Sequence, residues 1–131
     1  MNTLTTTRRA YIAGFFDGEG CVGQRTSSNR SDKIGKPFIY MAQVEPEVLQ
    51  RIQADLGYGR LRFREGNSRP EWGSKAGGIW ILRINAMAEQ FDFIEHILPY
   101  SIVKRKKLKE AREWLYAKAQ MEVGRQHLLN G

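Results

Sequence analysis

The sequence has one cysteine, Cys21, and two distant histidines, His96 and His127. A lone thiol excludes an internal disulfide, and the set is too poor in soft ligands for a structural zinc site. Any bound metal must then be held by oxygen atoms, which points to a hard cation such as Mg²⁺. No apolar run approaches the ~20 residues that span a bilayer, so no membrane partner is expected. The opening MNTLTTTRR has no apolar core of a secretory signal, and an intracellular location is expected. Acids are also scarce: 14 Asp and Glu stand against 21 Lys and Arg, a net charge of +7. That excess favours a polyanionic partner but says nothing about fold.

At 131 residues, with no linker or low-complexity segment, the chain reads as one domain with a core over about 7–121. Its last residues, EVGRQHLLNG, are expected to fray. Thr5, Thr6 or Thr7 can cap a first helix that runs to about Asp17, where Gly18 and Gly20 end it. Val22 to Thr26 reads as a strand, SSNRSDKIGKP as a polar turn, and FIYMAQV (38–44) as the returning strand. Pro46 suits the first turn of a second helix, with Leu49, Ile52 and Leu56 at helical spacing and Gly57 as the stop.

YGRLRFRE then alternates strictly, and GGIWILRIN follows a Gly/Ser/Pro-rich loop as the next strand. A third helix presents Met87, Phe91, Ile94 and Leu98 on one face, and a fourth runs from about Ser101 to Met121. The order α-β-β-α-β-β-α-α predicts an α+β fold: a four-stranded antiparallel sheet with helices packed on one face.

The strand RLRFR carries the clearest geometry. Side chains alternate across a strand, so Arg60, Arg62 and Arg64 project together while Leu61 and Phe63 face the core. Three adjacent guanidinium groups repel one another, and a phosphate-lined groove would relieve that repulsion. The alternative is a solvated edge strand defended by charge. Arg69 and the run Lys104, Arg105, Lys106, Lys107 and Lys109 add further positive charge. Arg25 and Ser27 share one face of the first strand, and Lys36 and Tyr40 can join the outer face of the second. On the fourth strand Trp80 and Arg83 lie on opposite faces, with the outward one unassigned.

In the first helix, Ala10, Ala13, Gly14 and Asp17 form a narrow small-residue stripe at about 100° per residue. Ile12, Phe15 and Phe16 form a bulky one. The bulky stripe suits the core. The small stripe suits either close approach of a twofold-related helix or packing beneath the third or fourth helix of the same chain. A dimer through it would bring two copies of Glu19 together, which is unfavourable unless a cation sits beside them. Two carboxylates, with backbone carbonyls freed by the glycines, make a plausible Mg²⁺ site for phosphodiester hydrolysis.

IAGFFDGEG, Ile12 to Gly20, resembles the LAGLIDADG motif of homing endonucleases, and the likeness extends over roughly residues 7–115. One motif in a chain of this length matches the single-motif, homodimeric members. The resemblance implies a site-specific double-strand DNA endonuclease that acts as a homodimer on a near-palindromic site. It implies Mg²⁺ as cofactor, with Mn²⁺ or Ca²⁺ able to occupy the same sites.

Glu19 takes the place of the family's last acid and would bind metal, with the Gly18 carbonyl nearby. Ala13 and Gly14 would meet the partner helix, and Asp17 would cap it. Gln43 and Lys104 (or Lys106) match the residues that organise catalytic water. Arg25, Ser27, Lys36, Tyr40, Arg60, Arg62 and Arg64 would contact DNA. Two features depart from the pattern: Glu19 stands where Asp is commoner, and the segment between the second strand and the second helix is short. A non-catalytic binder on the same scaffold, an intron-RNA maturase or a DNA-binding regulator, is the alternative.

Overall fold

The computed structural model describes residues 1–27, 30–66 and 77–130, with the side chains of 27, 30–33 and 127–130 left undescribed. Its elements run α1 (Thr6–Glu19), β1 (Gly20–Ser27), β2 (Arg30–Gln43), α2 (Pro46–Leu56), β3 (Arg60–Arg64), β4 (Ile79–Ile84), α3 (Met87–Ile97) and α4 (Arg105–Asn130). The four strands form one antiparallel sheet in the order β1-β2-β4-β3, which puts β2 and β4 at its centre. Helices cover one face, and the other faces solvent. The expected α+β architecture is the one observed.

Local chemistry explains the main boundaries. The Thr5 hydroxyl accepts from the Arg8 amide at 3.2 Å, capping the start of α1. Pro46 opens α2, and Gly57 closes it in the left-handed region (φ 79°), its amide donating to the Gln53 carbonyl. The core is one cluster. Ile12, Ala13 and Phe16 of α1 join Leu49, Ile52 and Leu56 of α2, Phe93, Ile94 and Ile97 of α3, and Leu108, Ala111 and Leu115 of α4. These helices close over Val22, Ile39, Met41, Leu82 and Ile84 of the sheet. Phe16 meets Phe93 edge to face at 5.2 Å, locking α1 against α3. Buried Gln90 donates to the carbonyls of Pro37 and Ile84, so it supplies a rung where the β2–β4 ladder stops.

Several boundaries differ from the sequence reading. The helix α1 runs to Glu19, not Asp17, and Gly18 is helical. Gly20 is extended and serves no hinge: a Cβ there would sit 2.2 Å from the Phe16 ring, so only glycine lets the chain leave the helix over that side chain. The strand β2 begins at Arg30, well inside the segment read as a turn. Backbone pairing with β1 carries the hairpin past the core, where polar side chains give no hydrophobic signal. The buried face of α3 is Gln90, Phe93, Ile94 and Ile97, while Met87 is exposed and Phe91 and Leu98 are half-buried. The helix α4 starts at Arg105 and continues to Asn130, well past Met121.

Candidate active site and nucleic-acid interface

Strand parity fixes the outer face. Met41, Leu82 and Leu61 share a cross-strand row, and Met41 and Leu82 are fully buried under the helices. The adjacent row, Cys21–Tyr40–Arg83–Arg60, must therefore face outward. Arg60, Arg62 and Arg64 are all exposed on that face, as read from the alternation. The central strand adds Arg83, which is exposed and whose guanidinium lies 5.3 Å from the Tyr40 ring centre. Tyr40 in turn stacks with Phe38.

Arg25 is exposed on β1 beside a register shift, where a Cβ on Gly35 would sit 2.9 Å from the Arg25 carbonyl oxygen. Lys36 is half-buried next to the same irregularity. The Ser27 side chain and Arg69 lie outside what is described. Among the described residues this face carries no carboxylate. Defence of an edge strand would explain charge on β3 alone, and it does not explain Arg83 at the sheet centre. Sequence parity identified Arg83 as one of two choices; only the burial of Leu82 and Ile84 decides between them.

At the C-terminal end of α1 the predicted Asp17 and Lys104 converge. The Asp17 carboxylate accepts from the Ser101 hydroxyl at 2.5 Å and from the amides of Ile102, Val103 and Lys104 at 2.8, 3.3 and 3.3 Å. Asp17 thus caps the approach to α4 of its own chain, not the helix of a partner. Lys104 reaches back, its Nζ donating to the Asp17 carbonyl at 2.8 Å. Burial pushes the Asp17 carboxyl up, but the Ser101 hydroxyl and the three amides outweigh it and hold it below its ordinary 3.8. A lowered folded-state pKa stabilises the fold above the ordinary carboxylate range, and that stabilisation fades as pH falls through the lowered value. Asp17→Ala should cost about 2 kcal/mol at neutral pH. The gap from wild type should narrow below about pH 4. Urea unfolding across pH reads both effects, and a pH-independent gap would contradict them.

Glu19 is exposed, one residue from the strand, and makes no ion pair or side-chain hydrogen bond among the described residues. No group of three His, Cys, Asp or Glu gathers around it or elsewhere among those residues. The carbonyls of Gly18 and Glu19 have no donor within the helix, whose negative dipole end lies here. A carboxylate with no protein partner among the described residues, beside carbonyls that lack a helical donor, is an oxygen donor set, and it fits a hard divalent cation.

Gln43 ends β2 two residues past Met41, the partner of Gly20, so it sits beside this helix end. Its parity with Ile39 and Met41 turns it to the helix side. Its Oε1 accepts from the Val44 amide at 2.8 Å, and it lines a shallow depression with Tyr11, Val48 and Arg51.

Ala13 departs from its expected place: it is fully buried in its own chain and cannot meet a partner. Gly14 and Gly18 are exposed, and a Cβ on either would meet nothing within 4 Å. With Ala10 and Tyr11 they form an open stripe rotated from the one read on the sequence.

The fold matches known structures over most of the chain. I-CvuI, a homing endonuclease solved with its target in the presence of calcium, matches 85% of this chain and 67% of its own at 24% identity, with a TM-score of 0.66. The archaeal intron-encoded homing endonuclease I-Vdi141I, solved with DNA, matches 87% and 70% at 21% identity, TM-score 0.64. The LAGLIDADG meganuclease I-AabMI, bound to uncleaved DNA, matches 92% of this chain but 39% of its own, at 20% identity and TM-score 0.59. The chain has the LAGLIDADG fold. It spans about two-thirds of the length of the first two and under half of the third. No protein-family model and no curated protein matches the sequence. In the LAGLIDADG fold of this chain, α1 is the motif helix, and Glu19 ends it where the basic sheet begins.

Proposed function

We propose that this chain is one protomer of a homodimeric, divalent-metal-dependent, site-specific DNA endonuclease of the homing type. The observation that carries this reading is a free carboxylate, Glu19, ending a helix beside a sheet with a basic outer face, with the Lys104 ammonium fixed within the same helix end. Similarity of fold to nucleases solved on DNA supports it.

Duplex DNA would lie along the outer face, with Arg25, Lys36, Tyr40, Arg60, Arg62 and Arg64 against it and Ser27 at the hairpin end. Glu19 and the Gly18 carbonyl would hold the cation. When bound, Mg²⁺ lowers the pKa of its water and offsets charge on a phosphoryl oxygen. Lys104 would place positive charge where negative charge develops on the phosphate, and its bond to the Asp17 carbonyl keeps it there in advance. Gln43, beside the same helix end, would orient water through its amide. Cleavage of a cognate duplex in Mg²⁺, and none in excess chelator, is the expected result. Cutting that survives chelation would overturn the metal assignment.

The partner protomer would pack on the open stripe of α1. Tyr11 is half exposed, and Gly14 and Gly18 let a second helix backbone approach closely. Ile102 and Val103, 84% and 73% exposed, hang on amides that Asp17 holds, so they extend the apolar surface at the end of the stripe. Gly14→Leu separates dimerisation from folding, since the side chain meets open space within the protomer and leucine favours helix over glycine by about 0.5–1 kcal/mol. Light scattering should give a dimer for wild type and a monomer of undiminished stability for the variant. A variant that stays dimeric would remove α1 from the interface.

A further inference from the structure

Arg83 faces Arg60 directly across the β3–β4 ladder, and no described strand residue sets a carboxylate on their face. Like charges at opposed positions on neighbouring strands destabilise a sheet. Glu89 at the start of α3 lines the same depression as the pair, but neither arginine makes an ion pair among the described residues, so both guanidinium groups stay open to an external acceptor. The two members differ in their surroundings. Arg60 stands on the edge strand, whereas Arg83 is on a central strand with its guanidinium over the Tyr40 ring at 5.3 Å. Stacking on an aromatic face restricts a guanidinium that would otherwise sample many rotamers. A restrained planar fork loses less entropy on forming two parallel hydrogen bonds, and its geometry matches guanine O6 and N7 in the major groove. A freely mobile surface arginine is better suited to a phosphate. The adjoining row on the same face runs Ala42, Ile81 and Arg62, so the residues next to Tyr40 and Arg83 themselves are apolar.

We propose that Arg83 is a base-reading residue specific for guanine, with Tyr40 as its positioning residue, and that Arg60 beside it contacts the neighbouring base or phosphate. This rests on the reading of the outer face as a duplex-binding surface. Each half-site then carries one position where guanine is strongly preferred and where the preference belongs to Arg83 alone.

The test is binding selection from randomised duplexes, sequenced for wild type, Arg83→Ala, Tyr40→Phe and Tyr40→Ala, with melting temperatures to verify folding. Wild type should enrich guanine at one position per half-site. Arg83→Ala should lose that preference by roughly 5- to 150-fold, equivalent to about 1–3 kcal/mol, while preferences elsewhere persist. Tyr40→Phe keeps the ring and should keep the preference. Tyr40→Ala should weaken it at the same position and no other, which a merely structural role would not do. Uniform weakening by Arg83→Ala across all sequences would make it a phosphate contact and overturn the proposal. Wild type that selects no duplex at all would instead defeat the reading of the face as a DNA surface.

Discussion

Glu19→Gln should abolish metal-dependent cleavage, by on the order of 10³-fold or more, while fold and DNA affinity remain near wild type. A loss of that size corresponds to about 4 kcal/mol, in the range expected when a metal ligand that supports the reaction loses its charge. Glutamine keeps the shape and removes only the negative charge. Glu19 is exposed and has no partner among the described residues, so the protomer does not depend on it for stability. Binding to the sheet face should be equal or slightly tighter, because a carboxylate near the phosphates has gone. Rates on a cognate duplex, measured beside a gel-shift titration, separate the two effects. Cleavage at the wild-type rate would remove Glu19 from the metal site.

Neutralising β3 should have the second large effect. Arg60, Arg62 and Arg64 lie exposed in one line, and each contact with a phosphate releases condensed counterions. The triple Ala variant should bind duplex on the order of 10²-fold more weakly at physiological salt. Its slope of log affinity against log salt should flatten by up to about 2.7. Stability should not fall, because three repelling charges leave a solvent-facing strand while Leu61 remains packed against the core. An unchanged salt slope would mean that these arginines only defend an edge.

How far the sequence could reach depended on periodicity. RLRFR alternates strictly, so its faces could be assigned without coordinates, and Leu61 is half-buried beside exposed arginines. Phe63, also expected in the core, is instead exposed near the strand end, where it packs against Trp80. WILRI contains one charge in an apolar run, and its parity became readable only through Leu82 and Ile84, which are fully buried. Arg83 was therefore left undecided for a physical reason: Ile79 and Ile81 share its outer face, so apolar residues stand on both sides of β4 and mask the alternation.

The small stripe of α1 was misplaced by one position. Helical angle alone treats Ala13 and Gly14 alike, whereas packing against the core distinguishes a buried methyl from an exposed backbone. Asp17 was read as a cap, and it is one, but its partners lie 84 to 87 residues away in the same chain. That pairing is tertiary and leaves no local signature. The length of β2 was hidden for a similar reason, since its first residues pair through backbone groups and bury little.

The central claim, a twofold nuclease built on the motif helix, is tested most directly by recovering cut ends from a fully randomised duplex library incubated with the protein and Mg²⁺. The account predicts cleaved sites whose two half-sites are related by near-perfect inversion, recovered only when the divalent cation is present. Recovery of no cut ends, or of cut sites without inverted symmetry, would contradict it.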